Sequence, residues 1–177
     1  LLIGNHEHPY FGGPTFSGFF VSAEVERCIL NLPWTPALAV GNTLLTHAGV
    51  VSAWLAEILE ADGAEALFRG AWQTNPGRHG YFAQIGRSRG GGGKYGGILW
   101  SDFDSDDRCD SWNQVHGHTP KRDGPVHVEH ENGRWVLNLD VGCSSGWAER
   151  DIQPATRLVG TWLDEHGEID EIIEATV

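Results

Sequence analysis

The chain has 177 residues, 40% of them hydrophobic and 20% charged, which is enough apolar material for one core and one domain, 1–177. Its formal net charge of −12 sets it against a nucleic-acid backbone as partner. No apolar run approaches the roughly 20 residues that span a bilayer, so no membrane partner is expected.

In chain order, Leu1 to Ile3 read as the end of a buried strand that runs into a loop at Gly4-Asn5-His6. The start has neither the basic region nor the long apolar stretch of a signal peptide. No methionine occurs anywhere in the chain, so the expectation is that a natural start, with some upstream segment, is missing. Ser22 to Leu30 is read as a helix closed by Pro33 and Pro36. Ala37 to Val40 and Thr43 to Thr46 flank Gly41-Asn42 as two strands of a tight connection. Ser52 is placed to cap a helix with Trp54, Leu55, Ile58 and Leu59 at helical spacing. A second helix is expected from Ala64 to Trp72, after a break at Asp62-Gly63.

Gln73 to Gly97 is polar and glycine-rich and reads as a long loop. The last third is β-rich, with strands expected at Ile98–Trp100, Gln114–His116, Val126–His130, Arg134–Leu139, Arg157–Leu163 and Glu168–Ile173. Asn132-Gly133 and His166-Gly167 carry hairpin signals. Helices first and strands later suggest sheet packed on sheet with helices outside. Cys28, Cys109 and Cys143 are too few and too scattered for a disulfide framework or a thiolate zinc knuckle, which fits a reducing, cytoplasmic compartment.

Three short motifs each put a metal-competent side chain where an apolar strand ends: Gly4-Asn5-His6-Glu7, Thr46-His47-Ala48-Gly49 and Gly117-His118-Thr119-Pro120. Strand ends are rigid, and small neighbours allow close approach of backbone or ligand. Imidazole nitrogens with a neutral amide oxygen suit Mn, Fe or Zn better than Ca or Mg. If these side chains share one ion they should approach within about 3–4 Å of one another, given Zn–N bonds near 2.1 Å.

With Leu99-Trp100-Ser101-Asp102 and Leu137-Asn138-Leu139-Asp140-Val141-Gly142-Cys143 added, the five blocks stand in an order that resembles the later half of the calcineurin-like metallophosphoesterase signature. The nearest branch is that of the serine/threonine phosphoprotein phosphatases and diadenosine-tetraphosphate hydrolases. The resemblance runs from the first residues to about Gly146. It implies an α/β fold, a two-sheet sandwich flanked by helices, with its N-terminal part missing here.

By position, the resemblance makes Asn5, His47 and His118 ligands of the second of two divalent ions, and His6 the non-ligating acid that protonates the leaving oxygen. Asp102 resembles a supporting hydrogen-bonding residue, and Arg108 a phosphate clamp. The implied activity is hydrolysis of a phosphorylated substrate by in-line attack of a hydroxide bridging two metals, manganese, iron or zinc. Phosphoserine or phosphothreonine in proteins is the first substrate class and dinucleoside polyphosphates the second. A non-catalytic binding relative of the same fold is the other alternative, and a hydrolase with an unrelated one-metal site a further one.

The family's earlier motifs, Gly-Asp-x-His and Gly-Asp-x-x-Asp-Arg-Gly, do not occur in this sequence. They supply the first metal's ligands and the bridging aspartate. Truncation explains this more simply than degeneration, and the expectation is a fragment that holds at most one ion, weakly, and is inactive alone.

The remaining features read as structure. His116 is read as structural. His8, His79, His127, His130 and His166 have no motif support. Asp102, Asp104 and Asp106 lack the glycine and glutamate of a calcium loop. Gly90 to Gly93 with Arg87, Arg89 and Lys94 could cradle a phosphate but read as a floppy loop. Trp54, Trp72, Trp135 and Trp162 are expected in the core.

Overall fold

The structure, a computed structural model, describes residues 1–15, 22–55, 58, 60–104, 108–121, 123–141 and 157–176. The chain is mixed α/β, with a five-stranded mixed sheet, a separate two-stranded sheet and a few helices. Helix α1 is Ala23–Leu30, followed by strands β1 (Ala37–Val40) and β2 (Thr43–Thr46). Helices α2 (Ser52–Leu55), α3 (Ala61–Thr74) and α4 (Gly80–Ala83) come next. Strands β3 (Asn113–His116), β4 (Val126–Glu129) and β5 (Trp135–Asn138) complete the large sheet, and β6 (Arg157–Leu163) with β7 (Ile169–Thr176) form the small one.

The large sheet has the order β1-β2-β3-β5-β4. Its three central strands, β2, β3 and β5, run parallel, while β1 and β4 are antiparallel edges. That arrangement sends the chain out of β2, β3 and β5 at the same edge of the sheet. In open α/β sheets this carboxyl edge is where ligands gather.

Both faces of the sheet are covered, as the near-continuous apolar strands require. Leu44 faces a core of Ile3, Val50, Phe68, Phe82, Ile98, Leu99 and Trp112. Val115, Trp135 and Leu137 face the other way, against Leu45, Leu163 and Ile169. The β6–β7 hairpin is docked there by its turn: Asn42 N donates to His166 O at 3.1 Å, and Thr43 Oγ1 donates to Gly167 O. Glu168 accepts from Asn113 Nδ2 and from Trp135 Nε1, at 3.3 and 3.2 Å.

Several expectations need correction. Ile98–Trp100 is a buried turn and not a strand, because Trp100 and Ser101 both donate backwards to Gly97 O. Helix α3 runs through Asp62-Gly63, where no break occurs. A glycine in the first turn costs little, Asp62 lies favourably at the helix's positive end, and Ala61, Ala64 and Phe68 are buried at helical spacing. Helix α2 is a single turn; Ser52 Oγ donates to Arg108 O at 2.9 Å. Leu59 lies outside the described residues, as do Asp106, Gly142 and Cys143.

Residues 73–97 are not one structureless loop. They hold α4 and a 3₁₀ turn at Arg87–Arg89, tied by Arg87 N to Gly93 O at 2.9 Å and Gly91 N to Gly86 O at 3.0 Å. Leu2 makes only a single bridge, to Thr35, in place of a strand. Trp135 is buried, and Trp54 and Trp72 pack partly buried against the core, but Trp162 is 62% exposed. No helix among the described residues is long and apolar enough to cross a membrane.

Candidate metal centre

Three chain segments converge beyond the carboxyl edge of the sheet. The loop after Ile3 delivers Asn5, the exit from β2 delivers His47, and the turn after β3 delivers His118. Asn5 Oδ1 lies 2.9 Å from His47 Nε2, and His118 Nδ1 lies 3.1 Å from the same nitrogen. These partners are 42 and 71 residues from His47 in sequence. Gly4 makes room for this approach: a Cβ there would stand 3.1 Å from His47 Cε1 and 2.7 Å from Glu7 Oε2. Asn5 is itself buried.

A single proton on His47 Nε2 cannot fully satisfy both of its neighbours. His47 Nε2 carries at most one proton, and it faces an amide oxygen and an imidazole nitrogen together. If that proton is shared between them, each neighbour receives part of one bifurcated bond. If it is absent, a lone pair faces the amide oxygen. A cation between them would engage all three lone pairs. Two donors each about 2.1 Å from one ion stand about 3.0 Å apart at a right angle and about 3.4 Å apart at the tetrahedral angle, and the separations of 2.9 and 3.1 Å lie nearer the former. The donor set of one amide oxygen and two imidazoles fits Mn, Fe or Zn.

Electrostatics keep the imidazoles neutral. Burial pushes the His47 ring down to about 4, and the nearby positive charges of His6 and Arg89 act in the same direction. His118 is pushed down to about 2, first by burial and then by His47 and Arg89. Both rings therefore offer a lone pair without first losing a proton. Among the described residues, no group of three or more His, Cys, Asp or Glu side chains is placed to hold a metal. The third donor here is an amide.

His6 lies exposed beside the cluster and adds to the field felt by His47 and His118. Its own pKa is lowered by partial burial, against the opposing charge of Glu7. Arg108 Nη1 donates to Ala48 O, next to His47, at 3.1 Å and to Ser101 Oγ at 3.0 Å, with the guanidinium over the Phe103 ring. Ser101 Oγ in turn reaches Ala48 O and Gly49 O, latching the Trp-Ser-Asp block to the strand end that carries His47. His116 is buried; its Nδ1 lies 3.0 Å from Gly117 O, and burial followed by the Arg108 charge pushes its pKa down to about 3.

Asp102 accepts at 3.1 Å from Nη2 of Arg89, a residue that the sequence pattern assigned to a loop. The same nitrogen lies 3.2 Å from His118 O and 2.7 Å from Thr119 Oγ1. No periodicity links Arg89 to Asp102 or His118. The only sequence sign was a run of basic residues inside the glycine-rich stretch. The chain matches no protein-family model, no curated protein and no solved structure.

Proposed function

We propose that Asn5, His47 and His118 hold one divalent transition-metal ion, and that the chain carries the later ligand set of a calcineurin-like metallophosphoesterase acting on phosphoserine or phosphothreonine. The observation that carries this reading is the meeting of Asn5 Oδ1 and His118 Nδ1 at 2.9 and 3.1 Å from His47 Nε2. The mixed sheet with a hairpin on its second face is compatible with the two-sheet sandwich of that superfamily and supports the same reading.

Bound there, the ion supplies Lewis acidity toward a phosphoryl oxygen and acidifies water. The protein's part is set by its donors. All three are neutral, so they leave the ion's charge uncompensated, and an anionic substrate such as a phosphoester is favoured at the open side. His6, exposed beside the cluster, is the residue proposed to carry a proton toward a departing oxygen; partial burial lowers its pKa and the Glu7 charge opposes that shift. The carboxylates that hold a second ion in the superfamily are not in this sequence. Turnover is therefore proposed for a protein that supplies them as well.

The test is p-nitrophenyl phosphate hydrolysis by the product of the whole gene, purified with Mn. The expected result is metal-dependent turnover that falls at least about a hundredfold in His118→Ala. Absence of turnover from a folded, metal-loaded protein would move the reading to a non-catalytic relative of the same fold.

A further inference from the structure

His118 is the one non-glycine among the described residues with a left-handed backbone, φ 69°. A residue with a Cβ adopts that conformation only at a steric cost, and it persists only where its surroundings hold it. Arg89 Nη2 reaches His118 O at 3.2 Å and Thr119 Oγ1 at 2.7 Å, and the same nitrogen pairs with Asp102 Oδ2 at 3.1 Å. Thr119 Oγ1 also accepts from Phe103 N at 3.0 Å, and Asn138 Nδ2 donates to Thr119 O at 2.7 Å. Thus the 3₁₀ turn at 87–89, the segment after the Trp-Ser-Asp block and the end of β5 all close on the two residues 118 and 119.

We propose that Arg89 is a positioning residue: held by Asp102, its guanidinium clamps the His118 carbonyl and the Thr119 hydroxyl, and so aims the His118 imidazole at His47 and Asn5. This rests on the metal-site reading above, but it concerns a residue that the motif pattern does not include.

The sign of the effect separates a clamp from a mere neighbouring charge. Arg89 is a cation that already disfavours positive charge on His47 and His118. By Coulomb's law alone, removing it should tighten the binding of a metal cation. Loss of a clamp does the opposite, because a ligand that is no longer oriented binds more weakly. Outer-shell partners of metal ligands typically contribute ten- to a hundredfold in affinity.

The experiment titrates the chain with Co²⁺, following its visible absorption, for the wild type, Arg89→Ala, Arg89→Lys and the exposed control Arg87→Ala. Far-ultraviolet circular dichroism verifies that each variant is folded. Amide hydrogen exchange at Phe103 and Gly117 is read in the metal-free proteins. The expected result is a ten- to hundredfold weaker Co²⁺ affinity in Arg89→Ala, partial recovery in Arg89→Lys, no change in Arg87→Ala, and faster exchange at both amides in Arg89→Ala.

Equal or tighter Co²⁺ binding by Arg89→Ala would overturn the clamp while leaving the metal site standing. If the wild type itself takes up no Co²⁺, the metal-site reading fails and the exchange data decide the clamp. Unchanged exchange at Phe103 and Gly117 then refutes it, and accelerated exchange upholds it as a clamp on the 117–119 turn. Should Arg89→Ala not fold, Arg89→Lys keeps the charge but loses the guanidinium fork, and the same two readouts apply to it.

Discussion

At the scale of single residues, Gly4 and His8 show how narrowly the loop that delivers Asn5 is built. Gly4 sits where an added methyl group would press on the His47 ring and on the Glu7 carboxylate that accepts from its own N–H. Gly4→Ala is therefore expected to weaken Co²⁺ binding measured by titration, with a stability loss of about 1 kcal/mol in urea unfolding. His8 is buried between the Trp72 and Phe82 rings, with Nε2 at 2.8 Å from Pro76 O. Burial lowers its pKa from 6.5, against the opposing effect of the Pro76 hydrogen bond. The unfolded chain thus binds more protons than the folded one below 6.5. The His8 contribution to stability is complete above that pH and declines as pH falls from 6.5 toward the lowered value. His8→Gln keeps an N–H for Pro76 without the titration. It is expected to flatten the dependence of the urea midpoint on pH below 6.5, and an unchanged slope would contradict this assignment.

At the scale of elements, periodicity found the pieces that bury one side. Strands β1, β2 and β5 form where apolar residues cluster, β3 buries Asn113, Gln114 and His116 around Val115, and the Gly41-Asn42 and Asn132-Gly133 turns join neighbours as their residue types predict. What periodicity missed was decided by contacts between distant segments. Ile98–Trp100 is as apolar as any strand here, yet it turns because Gly97 O accepts from two successive amides and Ile98 O accepts from Ala48 N. Helix α3 overrode a local glycine signal because its alanines and Phe68 are buried. Phe68→Ala is expected to cost about 3–5 kcal/mol in urea unfolding. The exposure of Trp162 was not legible because a two-stranded hairpin buries only one side, and its register chooses which. The docking of that hairpin depends on Gly41. Its φ is 52°, and a Cβ there would stand 1.9 Å from His166 O. Gly41→Ala is expected to destabilise the chain by about 2 kcal/mol or more, read as a lower urea midpoint.

At the scale of the whole molecule, the parallel order of β2, β3 and β5 brings residues 47 and 118 to one edge of the sheet, and the loop after Ile3 meets them there. Asn5, His47 and His118 stand out in the sequence because each carries a donor atom within two residues of a glycine at the exit of an expected strand. Arg89 does not, because its role depends on a turn within a glycine-rich stretch and on an ion pair with Asp102 that no local pattern encodes. Arg108 is assigned a substrate role by its position after the Trp-Ser-Asp block, and its Nη1 also joins that block to the carbonyl of Ala48. The central claim is that three neutral donors from distant segments share one cation. The most direct measurement is anomalous diffraction from crystals of the chain soaked in Zn²⁺. The account predicts one strong peak about 2.1 Å from each of Asn5 Oδ1, His47 Nε2 and His118 Nδ1. Density that places no ion among those atoms, in crystals where zinc binds elsewhere, would contradict it.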